Sequence, residues 1–248
     1  MEQKNNRFYR KNGGLTKLGE VTLIDRLSSE LNFERTELCR LIKIYKKYVK
    51  NGPHMDMPTF SEVLHTLFGF TEEFFMNRIF STADNDKDRR IQMEEFIRLI
   101  AVMLRGSMEE KIKLCFACYD ISENLELTRD NIATLLLESL SEPPSKDISE
   151  DMVRDLADMI LSKMDLDGDG VISYEEFKQA CLNDWVLMEA FGKCLPDYKI
   201  VAVFPKRLVT PGLSAFVDLR QFLLESPPQR QSFSQTDSSR EHKQNKPT

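Results

Sequence analysis

Apolar residues recur at intervals of three and four along most of this chain, and polar turns interrupt them at regular distances. Residues 33–47, 60–68, 71–83 and 93–105 each read as one helix with a single apolar face. Ser107 and Glu110 form a capping box that opens a helix running through Cys118. Residues 130–141 and 149–164 continue the series, and Ser173 with Glu176 caps the next helix. A last helix is expected around Val186–Lys193, after Trp185. Beyond Pro196 the pattern changes. Residues 198–224 are apolar but broken by Pro205 and Pro211, and are expected to pack weakly on the body or to dock on a partner. The Ser-, Gln-, Pro- and Lys-rich stretch after residue 225 is expected to be largely disordered.

The turn between two of these helices carries the sharpest chemical signal. Residues 165–176 read DLDGDGVISYEE. Asp165, Asp167 and Asp169 set carboxylates at loop positions 1, 3 and 5, with Ser173 at position 9 and Glu176 at position 12. This is the EF-hand calcium loop. Ca²⁺ is a hard cation that takes about six to eight oxygens, and alternate short carboxylates on a tight turn wrap around it. Gly170, at position 6, suits the positive φ required there. The carbonyl of Val171 offers one oxygen, Ser173 acts through water, and Glu176 closes the sphere with both of its oxygens. Ile172, at position 8, is apolar, as a short strand pairing with a second loop requires.

The motif repeats. Residues 84–95, DNDKDRRIQMEE, place Asp84, Asp86 and Asp88 at positions 1, 3 and 5, Arg90 at 7, Gln92 at 9 and Glu95 at 12. Arg89 stands at position 6, where a left-handed backbone costs a non-glycine residue about 1–2 kcal/mol. Five acids there face Lys87, Arg89 and Arg90, whereas the Asp165 loop has five acids and no base, so the Asp84 loop should bind calcium more weakly. A third copy, Asp120–Asn131, keeps Leu127 at position 8 but has Asn124, Leu125 and Asn131 at positions 5, 6 and 12. A fourth, Tyr48–Thr59, contains Pro53 and Pro58 and only one acid. Neither should hold the ion. The fold class expected is therefore all-α: four EF-hands in two paired lobes, two hands degenerate, with short β-pairing between loops. Met55 should face Ile91, and Leu127 should face Ile172. The organisation expected is a basic N-terminal segment (1–32), an N-terminal pair (33–106), a C-terminal pair (107–196) and an extension (197–248). A Pro-rich linker, SEPPSKD, separates hands three and four.

Composition narrows the function. The chain has 248 residues, 41% hydrophobic and 30% charged, enough for two small cores. Its net charge of −6 is uneven. Residues 1–20 and 201–248 are each basic, so the middle is strongly acidic, which suits cations or a basic partner there and an acidic surface such as a microtubule or anionic lipid at the ends. No apolar run is long enough to span a membrane, the first residues lack a signal-peptide core, and Glu2 stands where N-myristoylation needs glycine. No nucleic-acid partner is expected. Five cysteines, an odd number, fit a reducing compartment, and Cys115-Phe-Ala-Cys118 within a helical pattern reads as core packing rather than a zinc half-site. No catalytic constellation accompanies the three histidines, so an enzyme is not expected.

Three segments are familiar. LHTLFGFTEEFFMNRIF, MLRGSMEEKIKLCFACYD and VLMEAFGKCLPD, all within residues 37–197, resemble the calaxin family of ciliary EF-hand proteins, relatives of the neuronal calcium sensors. The closing FGKCLPD is the most specific piece, whereas RGSMEEK is similar to a linker common to the sensors at large. The resemblance implies a calcium-responsive component of the outer-arm dynein apparatus on the axonemal doublet, in the cilium, flagellum or adjoining cytoplasm. Calaxin-like third loops carry an intact DxNxDG, which Asp120–Asn131 has lost, and the fourth loop here is stronger than the family's usual form. Those departures, and an unfamiliar tail, point to a divergent paralogue. On this reading Glu176 is drawn onto the ion, its helices open, and an apolar groove receives an amphipathic helix from a dynein or docking-complex subunit. Met152, Met159, Met164 and Met188 suit such a groove as readily as an ordinary core. Two other readings are a sensor-like regulatory subunit of another enzyme and a constitutive structural adaptor with little calcium response.

Overall fold

The apolar stripes turn inward as ten helices in the computed structural model, which describes residues 15–49, 52–139 and 150–209. The first hand is α2 (Arg35–Tyr48) and α3 (Met57–Phe68), and the second is α4 (Glu73–Ala83) and α5 (Met93–Arg105). The third joins α6 (Met108–Tyr119) to α7 (Arg129–Ser139) through β1 (Glu126–Thr128). The fourth joins α8 (Glu150–Met164) to α9 (Tyr174–Asn183) through β2 (Val171–Ser173). The strands β1 and β2 are antiparallel, with Leu127 opposite Ile172, and the first two hands meet in a bridge between Met55 and Ile91. Both position-8 pairings thus occur as the repeat requires. All four of these side chains are buried, and the core runs without a break from one pair of hands to the other. The linker SEPPSKD, residues 1–14 and the stretch past residue 209 lie outside the described residues.

Three elements differ from the sequence expectation. Within the segment read as a basic tail, α1 (Lys17–Glu30) forms, capped by Thr16, whose hydroxyl accepts from Gly19 N at 3.1 Å. Leu23, Ile24 and Leu27 pack on α2, while Arg26–Glu94 and Arg98–Glu30, both at 2.5 Å, tie α1 to α5. Leu18 and Val21 stay exposed on the same helix, so its apolar residues never form the single stripe that signals amphipathicity. Next, the helix expected at Val186–Lys193 is only a 3₁₀ turn, Trp185–Glu189. Its end is held by Tyr119, whose hydroxyl donates to the Met188 carbonyl at 3.0 Å and the Gly192 carbonyl at 2.6 Å. Finally, α10 (Tyr198–Val209) runs through Pro205 despite the missing N–H and packs back on α2 and α5, with Phe204 buried 5.4 Å from the Phe68 ring. Burial of Ile200 and Phe204 against the first lobe decides against the proline.

Cys115 and Cys118 are both buried in this core as free thiols, and burial pushes the Cys115 thiol well up. One buried ion pair organises the first lobe. Glu37, almost wholly buried, heads α2 in a capping box and is gripped by both guanidinium nitrogens of Arg105, which also lies 4.2 Å from the Phe33 ring centre. Burial raises the Glu37 carboxyl, but bonds from Arg105 and the Glu34 amide outweigh it and hold the group below the usual range. A folded-state value below the unfolded one stabilises the fold above the unfolded pKa of about 4.3 and ceases to do so as pH falls through the folded value. Glu37→Gln should therefore lower stability by about 2–3 kcal/mol near neutral pH, less than a fully buried pair because Arg105 is partly exposed. The gap from the unsubstituted chain in urea titrations should narrow below about pH 4.

Candidate metal centre

The backbone of each loop is built the same way, whatever its chemistry. Positions 4 and 6 take positive φ in all three described acidic turns: Gly168 and Gly170, Lys87 and Arg89, Glu123 and Leu125. In each, the position-1 aspartate accepts the amide of position 6, with Asp165 bonded to Gly170 N at 3.0 Å, Asp84 to Arg89 N at 2.8 Å and Asp120 to Leu125 N at 2.8 Å. Arg89, at φ 62°, adopts the left-handed conformation its position demands. The third loop keeps its shape after losing its ligands because Asp120 still accepts the Asn124 and Leu125 amides and Asn124 accepts that of Glu126.

What separates the loops is the side chains that converge. Carboxylate oxygens of Asp165, Asp167 and Asp169 lie within 4.8 Å of one another, and so do those of Asp84, Asp86 and Asp88. At position 12, Glu176 Oε1 accepts from Leu166 N at 2.8 Å and Asp167 N at 3.3 Å, and Oε2 accepts from Ser173 N and Ser173 Oγ, both at 2.8 Å. Glu95 accepts from Asn85 N at 2.9 Å and Gln92 N at 2.8 Å, and Gln92 Nε2 donates to Asp86 at 2.6 Å. In the third loop, the Asn131 carbonyl oxygen accepts from Thr128 N at 3.2 Å and Thr128 Oγ1 at 2.8 Å, keeping the cap without a second oxygen for an ion. Val171 pairs through its backbone with Thr128, while the Arg90 side chain lines a polar cleft beside Lys47, His54 and Asp56.

The closing carboxylates of the two acidic loops sit in different electrostatic surroundings. Burial raises the Glu176 carboxyl, but its bonds to Ser173, Leu166 and Asp167 outweigh that and hold it below the usual range. Burial raises Glu95 too, and there the charges of Asp86 and Asp84 add to it, leaving the group above the usual range. Convergent oxygens, no nitrogen or sulfur donor, and a closing carboxylate form the donor set of a hard cation, and both loops fit Ca²⁺. Arg89→Gly should relieve about 1–2 kcal/mol of left-handed strain and remove a positive charge. Calorimetry on that variant should show the weaker of two calcium sites tightened about 5- to 30-fold.

The sequence reading missed the contacts that join one pair of hands to the other. Lys87 and Glu123, each at position 4, are paired at 2.7 Å between the second and third loops. Arg78 on α4 caps the end of α6, donating to the Cys118 carbonyl at 2.8 Å and the Asp120 carbonyl at 2.7 Å, a favourable place for a cation at a helix C-terminus. Aligning the loops would have exposed the opposite signs at position 4, but nothing in the local pattern marks Arg78.

Comparison with known proteins agrees with this geometry. A family model described as an EF-hand domain pair matches residues 109–182, the third and fourth hands. Calaxin of Xenopus laevis is 36% identical over 185 residues, covering 72% of this chain and 89% of that protein. Calaxin of Danio rerio is 31% identical, covering 71% and 87%, and that of Homo sapiens 33%, covering 68% and 82%. With its loops in the places where the acidic turns fold and with relatives matched over most of their length, this calcium-binding EF-hand protein belongs to the calaxin family.

Proposed function

We propose that the chain is a calcium-responsive adaptor of the motile cilium or sperm flagellum, bound to outer-arm dynein or its docking complex. The observation that supports the calcium response is a fully formed fourth loop paired across β1 and β2 with a third loop that keeps its shape but not its ligands, and the ciliary placement draws on the resemblance to the calaxin family. In this reading Asp165, Asp167, Asp169, the Val171 carbonyl, Ser173 and Glu176 hold the tighter ion. Asp84, Asp86, Asp88, the Arg90 carbonyl, Gln92 and Glu95 hold the weaker one. Ca²⁺ supplies the positive charge that offsets the three convergent aspartates of each loop. The chain's own contacts carry the consequence. Glu176 lies in the first turn of α9, and its neighbour Phe177 packs on Phe116, Tyr119 and Phe191. A shift of Glu176 is therefore felt in α6 and in the segment after the 3₁₀ turn.

Met164 and Met188 belong to the core, but Met152, Leu156 and Met159 stand exposed at four- and three-residue spacing along α8. Such a stripe suits an amphipathic helix of a dynein-associated partner. The basic ends of the sequence suit the acidic surface of the microtubule. A tagged copy in ciliated cells should remain on demembranated axonemes, leave with the outer arms on salt extraction, and be missing from axonemes that lack those arms. Uniform cytoplasmic staining regardless of the arms would refute the assignment. The constitutive-adaptor reading draws on the Lys87–Glu123 and Arg78 ties between the two pairs of hands. It expects axonemal retention that neither calcium nor chelator changes.

A further inference from the structure

We propose that Cys118 and Cys194 are a modification site, a dithiol that a peroxide converts to an intramolecular disulfide. The two residues lie far apart in sequence, yet both are fully buried free thiols, and the Cys194 thiol donates to the Cys118 sulfur. The backbone holds them together. Cys118 sits in the last turn of α6, where Arg78 Nε donates to its carbonyl at 2.8 Å. Its neighbour Tyr119 donates to the Gly192 carbonyl at 2.6 Å, just ahead of Cys194. Among the described residues, three metal-binding groups converge only in the two acidic loops, so the thiol pair lacks the further donors of a zinc site.

A peroxide needs a thiolate that it can reach. The Cys194 thiol and the Thr82 hydroxyl both donate to the Cys118 sulfur, and the Arg78 charge lies near it, which together hold that thiol below its ordinary range against the cost of burial. Burial pushes the Cys194 thiol well up, so it keeps its proton until it reacts. The way in is a cleft of about 390 Å³ between the two pairs of hands, whose walls include Arg78, Thr82, Phe116 and Ala117. Arg78 and Thr82 line this cleft and also act on Cys118, which places the sulfur directly behind that wall. Movement of these side chains admits an oxidant little larger than water. The Cys118 thiolate attacks one peroxide oxygen, the O–O bond breaks, and a sulfenic acid forms. The departing hydroxide takes up the proton that Cys118 released and leaves as water. The Cys194 sulfur then displaces the sulfenic hydroxyl, which leaves as a second water with the Cys194 proton. Two thiols are oxidised and one peroxide is reduced to two waters. In a reducing compartment the pair rests as the dithiol and the disulfide is the transient state. The new bond clamps the end of α6 to the segment that carries Phe191, whose ring lies 5.1 Å from that of Tyr119. The inference is independent of the axonemal assignment.

Peptide mapping tests it. The folded full-length chain is treated with a few equivalents of hydrogen peroxide, its remaining thiols are blocked with N-ethylmaleimide in urea, and it is digested without reduction. Mass spectrometry should find one peptide pair joined through Cys118 and Cys194, abolished by dithiothreitol, from a chain that stays monomeric. In Cys194→Ala, dimedone should label Cys118 several-fold more than in the unsubstituted chain, because the sulfenic acid has lost its resolving thiol. Cys181→Ala should keep the cross-link. The exposed Cys39 is the internal reference. Oxidation of Cys39 with Cys118 and Cys194 both recovered as maleimide adducts would overturn the proposal. So would a bond from Cys118 to Cys115, a cross-link between chains, or a Cys118–Cys194 bond that forms only after unfolding in urea.

Discussion

Glu176→Gln should abolish the tighter calcium site, weakening it by about two orders of magnitude or more, within the range over which ligand charge tunes such loops. The carboxylate closes the loop through four hydrogen bonds, to Leu166 N, Asp167 N, Ser173 N and Ser173 Oγ. An amide keeps the bulk and can still accept at one oxygen, so the apo fold should survive while the charge and the second acceptor are lost. Calorimetry should then find only the weaker site, unchanged because it rests on Asp84 and Glu95 in the other pair of hands. Survival of the tighter site in this variant would move it away from Asp165–Glu176.

The largest loss of stability should come from Gly192→Ala. Gly192 has φ 148°, and a Cβ placed there would lie 2.0 Å from Phe75 Cζ. Phe75 is fully buried, with its ring 6.5 Å from that of Tyr119, and Tyr119 in turn bonds the Gly192 carbonyl. The methyl group thus meets backbone strain and a ring that has no room to retreat. Together these should cost about 3–4 kcal/mol, a drop of about 10 °C in thermal midpoint for a chain of this size. Gly69→Ala is the control, since Gly69 has φ 71° but nothing within 4 Å of its added Cβ. It should cost only about 1–2 kcal/mol of left-handed strain. Equal losses in the two variants would mean that the Phe75 contact is not tight.

The loops were legible because chelation demands particular residues at fixed positions, and no packing arrangement substitutes for them. Helices whose apolar faces point at one core were legible for a similar reason: α5 spans Met93–Arg105, the range its spacing predicts. The elements that escaped depend on partners distant in sequence. Helix α1 hides Leu23, Ile24 and Leu27 on α2 and leaves Leu18 and Val21 in solvent, and α10 keeps its course through Pro205 because Ile200 and Phe204 are buried against the first pair of hands. The segment after Trp185 has the spacing of a helix but forms only a 3₁₀ turn that is not free to swing. Instead Met188 and Phe191 are buried, Phe191 with its ring 5.1 Å from that of Tyr119. Arg78 shows the same limit, for its three carbonyl partners lie about forty residues along the chain.

Calcium response is the centre of the account, and an apolar-dye titration tests it most directly, performed on the unsubstituted chain and on Glu95→Gln and Glu176→Gln. The account expects Ca²⁺ to raise dye binding in the unsubstituted chain, with most of the rise lost in Glu176→Gln and most retained in Glu95→Gln. A rise that survives Glu176→Gln and vanishes in Glu95→Gln would contradict it.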